Sequence, residues 1–259
     1  MLKYDPTHWS VFSRIPHKAA GAVGEIPARW AQQYRLRSIL VAPEPLPATQ
    51  LTRDQVKAIC RDSNYPALFG YVCAMAWGGQ SERFGPNVTD AWKHSAKLEE
   101  CLEKLRSGGV SHAHAYDLFS GAKQISGLGP SFFSKLLYFF SPAPVDGVGF
   151  YIMDQWTAKS VDLLTQSWVV RLARVAATSP GPQNKSGNFE AYCREVDKIG
   201  AALGVTGEQA EEMMMSKGGK DPWPWREHVR AHWPSGAPKD RYNVYSLNAE
   251  YPMIPRQRF

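Results

Sequence analysis

The chain has 259 residues, 44% of them hydrophobic and 21% charged, which is the composition of a globular protein with a substantial core. Its net charge of +6 favours an anionic partner. We find no run of about 18 apolar residues and no signal peptide, so we expect a protein that neither spans a membrane nor is secreted. The four scattered cysteines are typical of free thiols in a reducing cytoplasm, which is the expected location.

Proline is frequent in the first 50 residues, which we expect to be irregular apart from a short helix between Pro27 and Leu40. Helical periodicity begins after Thr52, which has Gln55 in the spacing of a capping box. Further helices are predicted over Asn64–Trp77, from Thr89 or Asp90 to Arg106, from Asp154 to about Leu164, and over Trp168–Ala177, Phe189–Leu203 and Thr206–Ser216. The last of these has a capping-box pair at Thr206 and Gln209 and is expected to expose Glu211 and Glu212.

The absence of β-strand alternation predicts an all-α fold class. We divide the chain into an N-terminal segment at 1–50 that packs on the body, a helical body at 51–220, and a C-terminal tail at 221–259. The tail is rich in tryptophan and proline and is expected to wrap around the body. A chain of this length can form one domain or two lobes around a cleft.

The most informative stretch, Ile125–Ser131, reads Ile-Ser-Gly-Leu-Gly-Pro-Ser. Helical apolar patterns precede and follow it, so it is predicted to be the turn between two helices. Gly127 and Gly129 allow a positive φ and a close approach to a partner. Leu128 would fill the groove between the helices, and Pro130 suits a first helical turn. Amide groups at such a helix start form an anion site.

This stretch and the segment Tyr151–Ser160 resemble the helix-hairpin-helix DNA glycosylase superfamily, and most closely its 8-oxoguanine glycosylase branch with its small bacterial members. In that superfamily an apolar pair, an Asp and a new helix follow the hairpin, and here Ile152, Met153 and Asp154 stand in that order. The resemblance covers roughly residues 50–220 in layout. It implies an all-α fold of two lobes with a cleft between them.

The resemblance gives Asp154 the role of the catalytic carboxylate, which stabilises positive charge on the sugar as the base leaves. An ordinary helix N-cap is the alternative, and one carboxylate can serve both purposes. Bifunctional members carry a nucleophilic lysine where this chain has Ser131, which implies a monofunctional enzyme that uses water. Lys135, one helical turn farther on, is the second catalytic candidate. It could lie in the pocket, form a Schiff base, or be a lysine whose charged end reaches solvent.

The DNA-binding candidates belong to the hairpin, to its neighbourhood and to the loop after Trp77, whose polar side chains could fill the space left by a flipped base: Gly127, Leu128, Gly129, Ser131, Lys123, Lys159, Gln80, Arg83 and Asn87. The base-pocket candidates are Trp77, Tyr151 and Trp156, each with a core position as its alternative.

Two pairs of histidines, His112 with His114 and His228 with His232, are predicted to be surface residues rather than metal ligands. We predict no metal site, no cofactor and no iron–sulfur cluster. The resemblance does imply that a monovalent cation could be held by carbonyl groups of the hairpin.

The resulting prediction is a monomeric DNA glycosylase that flips a modified base out of double-stranded DNA, excises it and leaves an abasic site. The substrate stays open between an oxidised purine, in base-excision repair, and a phage-type modified cytosine such as glucosylated hydroxymethylcytosine, in anti-phage defence. One alternative is a non-catalytic helix-hairpin-helix DNA-binding protein, which would not need Asp154. Another is an RNA- or nucleotide-processing protein with a coincidental turn at residues 127–129.

Overall fold

The computed structural model describes residues 4–19, 21–36, 45–78, 85–121, 125–172, 180–215 and 224–233. These ranges contain twelve helices: α1 Pro6–Phe12, α2 Pro27–Gln33, α3 Arg53–Arg61, α4 Ala67–Trp77, α5 Gly85–Trp92, α6 Ser95–Arg106, α7 His112–Asp117, α8 Pro130–Phe140, α9 Gln155–Thr165, α10 Ser186–Leu203, α11 Gly207–Met215 and α12 Pro224–His232. The same ranges contain no strand and only isolated β-bridges. The all-α prediction is therefore confirmed. Among the helices described, none is long and apolar enough to cross a membrane.

The core is built around α4 and α8. Every residue of α4 from Phe69 to Trp77 is buried, as is every residue of α8 from Phe133 to Phe140. Helix α4 packs against α2, α3, α6 and α8, and α8 also contacts α3, α6 and α7. Helix α8, which carries Lys135, and its neighbour α4 are therefore held firmly by their surroundings, which is the condition for precise side-chain placement.

Capping boxes begin two helices where the sequence predicts them. The Thr52 side chain accepts the Gln55 amide, and the Gln55 side chain accepts the Thr52 amide at 2.8 Å. The same reciprocal pair joins Thr206 and Gln209 before α11. Local side-chain chemistry is therefore sufficient to set these boundaries.

Two helices end earlier than their apolar patterns suggest. The predicted single helix up to Arg106 is broken into α5 and α6, because the His94 amide bonds the Ala91 carbonyl three residues back and tightens the end of α5. Helix α7 ends at Asp117, although Phe119 beyond it is still fully buried. Apolar periodicity reports burial in both places, but it does not report where the backbone leaves the helix.

Helices near both ends of the described chain pack against α9. Within the segment expected to be irregular the chain forms α1, whose Phe12 ring lies 4.7 Å from the Trp225 ring of α12. Trp225 is fully buried and donates from its indole nitrogen to the Ser160 hydroxyl of α9 at 2.8 Å. The Asp5 amide, just before α1, donates to the Leu164 carbonyl at 2.9 Å. Helix α9 is therefore held from two sides.

The prediction of a helix over Trp168–Ala177 is wrong for its described part, residues 168–172. Trp168 has a φ of +51°, which lies outside the right-handed helical region. The Asn184 side chain accepts from the Arg171 amide and donates to the Arg171 carbonyl, both at 2.8 Å. These bonds occupy backbone groups that a helix would use for itself, so the segment is held as an irregular connection.

Candidate active site

The hairpin turn lies at residues 125–129, just before α8. Leu128 is 1% exposed, and its amide donates to the Ile125 carbonyl at 3.1 Å. Gly127 has a φ of +82°, and a Cβ atom there would lie 2.0 Å from the carbonyl oxygen of Asn87. A Cβ atom at Gly129 would meet nothing within 4 Å. The first glycine therefore lets the turn pack against α5, whereas the second borders open space.

Asp154 is the N-cap of α9. Its Oδ1 atom accepts the amide of Trp156 at 2.7 Å and that of Thr157 at 3.0 Å. The Thr157 hydroxyl in turn accepts the Asp154 amide at 3.0 Å and donates to the Ile152 carbonyl at 2.9 Å. Within the described chain, the hydrogen bonds to this carboxylate fall on Oδ1. The N-cap role thus uses one oxygen and leaves Oδ2 for another partner.

Lys135 lies on α8 with only 6% of its surface exposed, and its Nζ donates to the Ser131 carbonyl at 2.7 Å. The stem of this lysine packs against Gly78, where a Cβ atom would lie 2.8 Å from the lysine Cδ. Burial lowers the pKa of Lys135 below its ordinary value, and the carboxylates of Asp154 and Glu211 act in the opposite direction. Lys135 is therefore a buried amine within electrostatic range of Asp154, not an exposed surface lysine.

Glu211 is fully buried, which corrects the expectation of an exposed residue. Its Oε2 atom accepts a hydrogen bond from the Arg53 guanidinium, whose Nε donates to the Tyr138 hydroxyl at 2.6 Å. The Oε1 atom has no hydrogen-bond partner among the described residues. Burial raises the pKa of Glu211 to about 7, Arg53 opposes that shift, and Asp154 adds to it. A buried carboxyl that titrates near neutrality thus lies within electrostatic range of Asp154 and Lys135.

Cationic side chains surround Trp156, the half-buried second residue of α9. The Arg226 guanidinium lies 4.4 Å from the centre of its ring, that of Arg230 5.2 Å, and the Lys159 ammonium 5.6 Å. Lys159 also lies 5.4 Å from the Trp233 ring. Burial lowers the pKa of Lys159 and of Arg226, and the carboxylate at the start of α9 raises both. We call these five residues the basic cluster: Trp156, Lys159, Arg226, Arg230 and Trp233.

Other predicted site residues have different surroundings. Lys123, Gln80 and Arg83 lie outside the described residues. Trp77 is 7% exposed and packs edge-on against Phe139, and its buried indole nitrogen has no partner among the residues described. Tyr151 is 6% exposed and donates its hydroxyl to Asp197 of α10 at 2.5 Å. Both rings have structural contacts, and their place in a base pocket stays a prediction.

The histidines differ from their expected surface positions in one case. His112 is 4% exposed and stacks on Phe150 with ring centres 4.2 Å apart, so that prediction is wrong. His228 and His232 stack on each other, and His228 Nε2 lies 3.0 Å from His8 Nδ1. No group of three metal-ligating side chains with suitable geometry occurs in the described ranges. The monovalent cation at the hairpin stays a prediction, since residues 122–124 lie outside those ranges.

Sequence reasoning did not identify Glu211 or the two arginines of α12 as site residues. The four-residue spacing of Trp225 and Val229, both buried, is a helical signal that was visible in the tail. Because Arg226 follows Trp225 and Arg230 follows Val229, the same spacing places the two arginines together on the face of α12 next to the buried one. The burial of Glu211 had no such signal, because its partner Arg53 is 158 residues away in the chain.

A comparison with protein families found one match. The family OGG, described as "Putative 8-oxoguanine DNA glycosylase OGG-like protein", matches residues 17–215. Neither a curated protein nor a solved structure matches the chain significantly. The matched residues include the hairpin, Lys135, Asp154 and Glu211, and they end before α12. Since the match covers well over half of the chain, this protein belongs to the OGG-like family.

Proposed function

We propose that this protein is a DNA glycosylase that flips a modified base out of double-stranded DNA and cleaves its N-glycosidic bond with the help of Asp154. The observation that carries the proposal is the geometry of that carboxylate. Helix amides restrain one oxygen, the second accepts no hydrogen bond within the described chain, and the buried Lys135 lies within electrostatic range. Membership of the OGG-like family supports the same reaction class.

Cleavage of the bond between sugar and base develops positive charge on the sugar. The free Oδ2 atom of Asp154 would stabilise that charge, and it can orient or deprotonate a water molecule that attacks C1′. The water supplies the hydroxyl group of the abasic sugar, and its proton goes to the departing base. In this monofunctional reaction Ser131, rather than a lysine, follows the hairpin, and the DNA strand stays intact.

A bifunctional reaction is the second candidate, and the burial of Lys135 favours it. A lowered pKa increases the fraction of neutral amine, which is the nucleophilic form. That amine would attack C1′ and expel the base, which takes up the proton that the amine loses. The bond between C1′ and the ring oxygen then breaks to give a Schiff base, and elimination of the 3′-phosphate breaks the strand. In this reaction Asp154 would still stabilise the charge on the sugar.

The first experiment measures strand breaks with and without alkali after incubation of DNA with wild type and with Asp154→Asn. Asparagine still caps a helix, so the variant should fold. We expect alkali-dependent breaks that fall by about 10²- to 10⁴-fold in the variant, which is the range for loss of general acid–base assistance. The matched control is Asp54→Asn, which alters an exposed aspartate in the first turn of α3.

Other outcomes separate the alternatives. Breaks without alkali, together with borohydride trapping that disappears in Lys135→Ala, would establish the bifunctional reaction. Retained DNA binding without base release from any substrate would make the chain a non-catalytic DNA-binding protein. RNA cleavage or nucleotide turnover that does not depend on residues 127–129 would contradict the interpretation of these residues as a DNA-binding hairpin.

The substrate panel should contain duplexes with 8-oxoguanine and phage DNA with modified cytosines. The family description favours the oxidised purine and hence base-excision repair. Glucosylated hydroxymethylcytosine, and with it anti-phage defence, is the alternative, because Ser131 departs from the lysine that accompanies oxidised-purine excision in bifunctional relatives. We expect a monomer acting in the cytoplasm in either case.

A further inference from the structure

Among the residues that the structure describes, no carboxylate forms an ion pair with a cation of the basic cluster. None of the ion pairs formed within the described chain includes Lys159, Arg226 or Arg230. The charge of Arg230 lowers the pKa of Arg226, as expected for two like charges in proximity. Burial and Asp154 both affect this pKa more strongly than Arg230 does, but Asp154 is one carboxylate among three cations. An anion that entered the cluster would therefore meet an excess of positive charge.

The unbonded polar atoms of the cluster are donors. Arg226 Nε and Trp233 Nε1 are buried and have no hydrogen-bond partner in the described residues. Lys159 is 8% exposed as a residue, and its ammonium lies against two aromatic faces. Guanidinium, indole and ammonium groups donate and cannot accept. A ligand that satisfies them must bring acceptor oxygens, and the exposed Arg230 leaves the cluster open to it.

We propose that the basic cluster binds a phosphate group of the DNA strand, next to the nucleotide whose sugar Asp154 faces. The proposal rests on the proposed function, since DNA is taken as the ligand. A phosphodiester presents only acceptors and carries the charge that the cluster lacks, and arginine binds it through two parallel N–H bonds. Its nearness to the sugar follows from Trp156, whose amide donates to Asp154 at 2.7 Å and whose ring contacts the three cations.

The arginines of this site lie in α12, outside the residues that the family match covers. Trp225 and Val229, on the buried face of α12, anchor the helix and so fix where Arg226 and Arg230 are presented. The Arg226 guanidinium is further restrained by its bond to the Met215 carbonyl at 2.7 Å. The position of α12 is therefore fixed, whereas the groups that cover Arg226 Nε and Trp233 Nε1 must move before a phosphate can reach these two donors.

The test measures the affinity of the full chain for a duplex with a stable abasic-site analogue, as a function of salt. Each phosphate contact contributes about 0.9 to the slope of log K against log salt. For Arg230→Gln we expect that slope to fall by about 0.9, so that between 50 and 200 mM salt the variant weakens about 3-fold less than wild type. Arg230→Lys should keep most of the slope, and the control Lys104→Gln, an exposed charge on α6, should leave it unchanged.

A second arm locates the phosphate. Single phosphates on either side of the abasic analogue are replaced in turn by neutral methylphosphonates. Wild type should lose affinity at one or two adjacent positions, and Arg230→Gln should be insensitive at those same positions. The proposal would be overturned if Arg230→Gln left the salt slope unchanged. It would also be overturned if this variant lost affinity at the same methylphosphonate positions as wild type. So would a loss of affinity that depends on the base and not on salt, because the donors would then contact a base edge.

These measurements use binding alone, so they are independent of base release. A protein that binds through the cluster but excises no base would refute the glycosylase and leave the phosphate site standing. If the protein releases a base but Arg230→Gln has the same salt slope as wild type, the glycosylase stands and the phosphate site is refuted.

Discussion

At the scale of single residues, the two hairpin glycines have different physical roles. Gly127 combines a positive φ with contact to the Asn87 carbonyl, so both its conformation and its lack of a side chain are required by the fold. Gly129 has φ −77° and ψ 170°, which any residue can adopt, and open space lies where its side chain would be. The fold itself therefore does not require a glycine at position 129.

This difference predicts opposite phenotypes for the same substitution. Gly127→Ala should lower the free energy of unfolding by at least about 1–3 kcal/mol, because an alanine there is strained and collides with backbone. Gly129→Ala should stay within about 0.5 kcal/mol of wild type and yet weaken DNA binding, since a methyl group would keep the strand from the turn. Urea denaturation and a DNA-binding titration measure the two effects. Equal DNA affinity of Gly129→Ala and wild type would show that DNA does not approach the hairpin there.

At the scale of elements, a buried ion pair joins α3 to α11. The Arg53 guanidinium is 3% exposed and bonds Glu211, and it lies within 3.6 Å of a carboxylate oxygen of Glu212. Removal of Glu211 would leave the buried Arg53 with only the longer contacts to Glu212 and Glu208, so its charge would be less well compensated. The pair thus fixes α11, and with it Glu211, against the helix that packs on α4 and α8.

We therefore expect Glu211→Ala to lower the free energy of unfolding by about 3–5 kcal/mol. Glu211→Gln should cost less, because its amide oxygen still accepts from Arg53. The control is Asp90→Ala, which removes an exposed ion pair with Lys93 and should cost less than about 1 kcal/mol. Chemical denaturation of the three variants provides the comparison, and a similar loss for Glu211→Ala and Asp90→Ala would contradict the buried pair.

The features that sequence could predict are those whose causes are local. The capping boxes, the apolar helices α4 and α8, and the turn before Pro130 each depend on residues a few positions apart. The N-cap position of Asp154 belongs to the same class. The burial of Glu211 and the irregular segment at 168–172 do not, since each depends on a side chain far along the chain or on a competing backbone bond.

The candidate site also combines features with local causes and features that depend on residues far apart in the chain. The catalytic candidates Asp154 and Lys135 could be predicted, because motif and helical spacing mark them. Their electrostatic proximity could not, since it depends on how α8 and α9 pack. The arginines of α12 are contributed by a helix that reaches α9 only through tertiary contacts, among them the bond from Trp225 to Ser160.

At the scale of the whole molecule, three histidines connect the two ends of the described chain. His8 on α1 contacts His228 on α12, and His232 stacks on His228 with ring centres 4.0 Å apart. Burial and the two neighbouring histidines lower the pKa of His228 to about 4. Burial also lowers the pKa of His8, which Asp5 opposes. His8 and His228 are therefore harder to protonate in the folded protein than in the unfolded chain.

The three histidines should make the free energy of unfolding depend on pH below about 6.5. In the unfolded chain a histidine titrates near about 6.5, so above that pH both states are neutral and the cluster adds no pH dependence. As the pH falls from 6.5 towards 4, the unfolded state binds more protons, and the free energy of unfolding should decrease. His228→Gln should flatten this decline, whereas His94→Gln, at an exposed position, should not. Urea denaturation at several pH values between 4.5 and 7.5 tests this, and parallel curves for His228→Gln and wild type would refute it.

The contact between Gly127 and Asn87 also has a mechanical consequence. A carbonyl oxygen occupies the volume of the missing side chain, so the hairpin turn and the start of α5 cannot slide past one another. The turn and the start of α5 should therefore move as one unit. A substitution that displaces residue 127 should displace Asn87 with it, although 40 positions separate them in the chain.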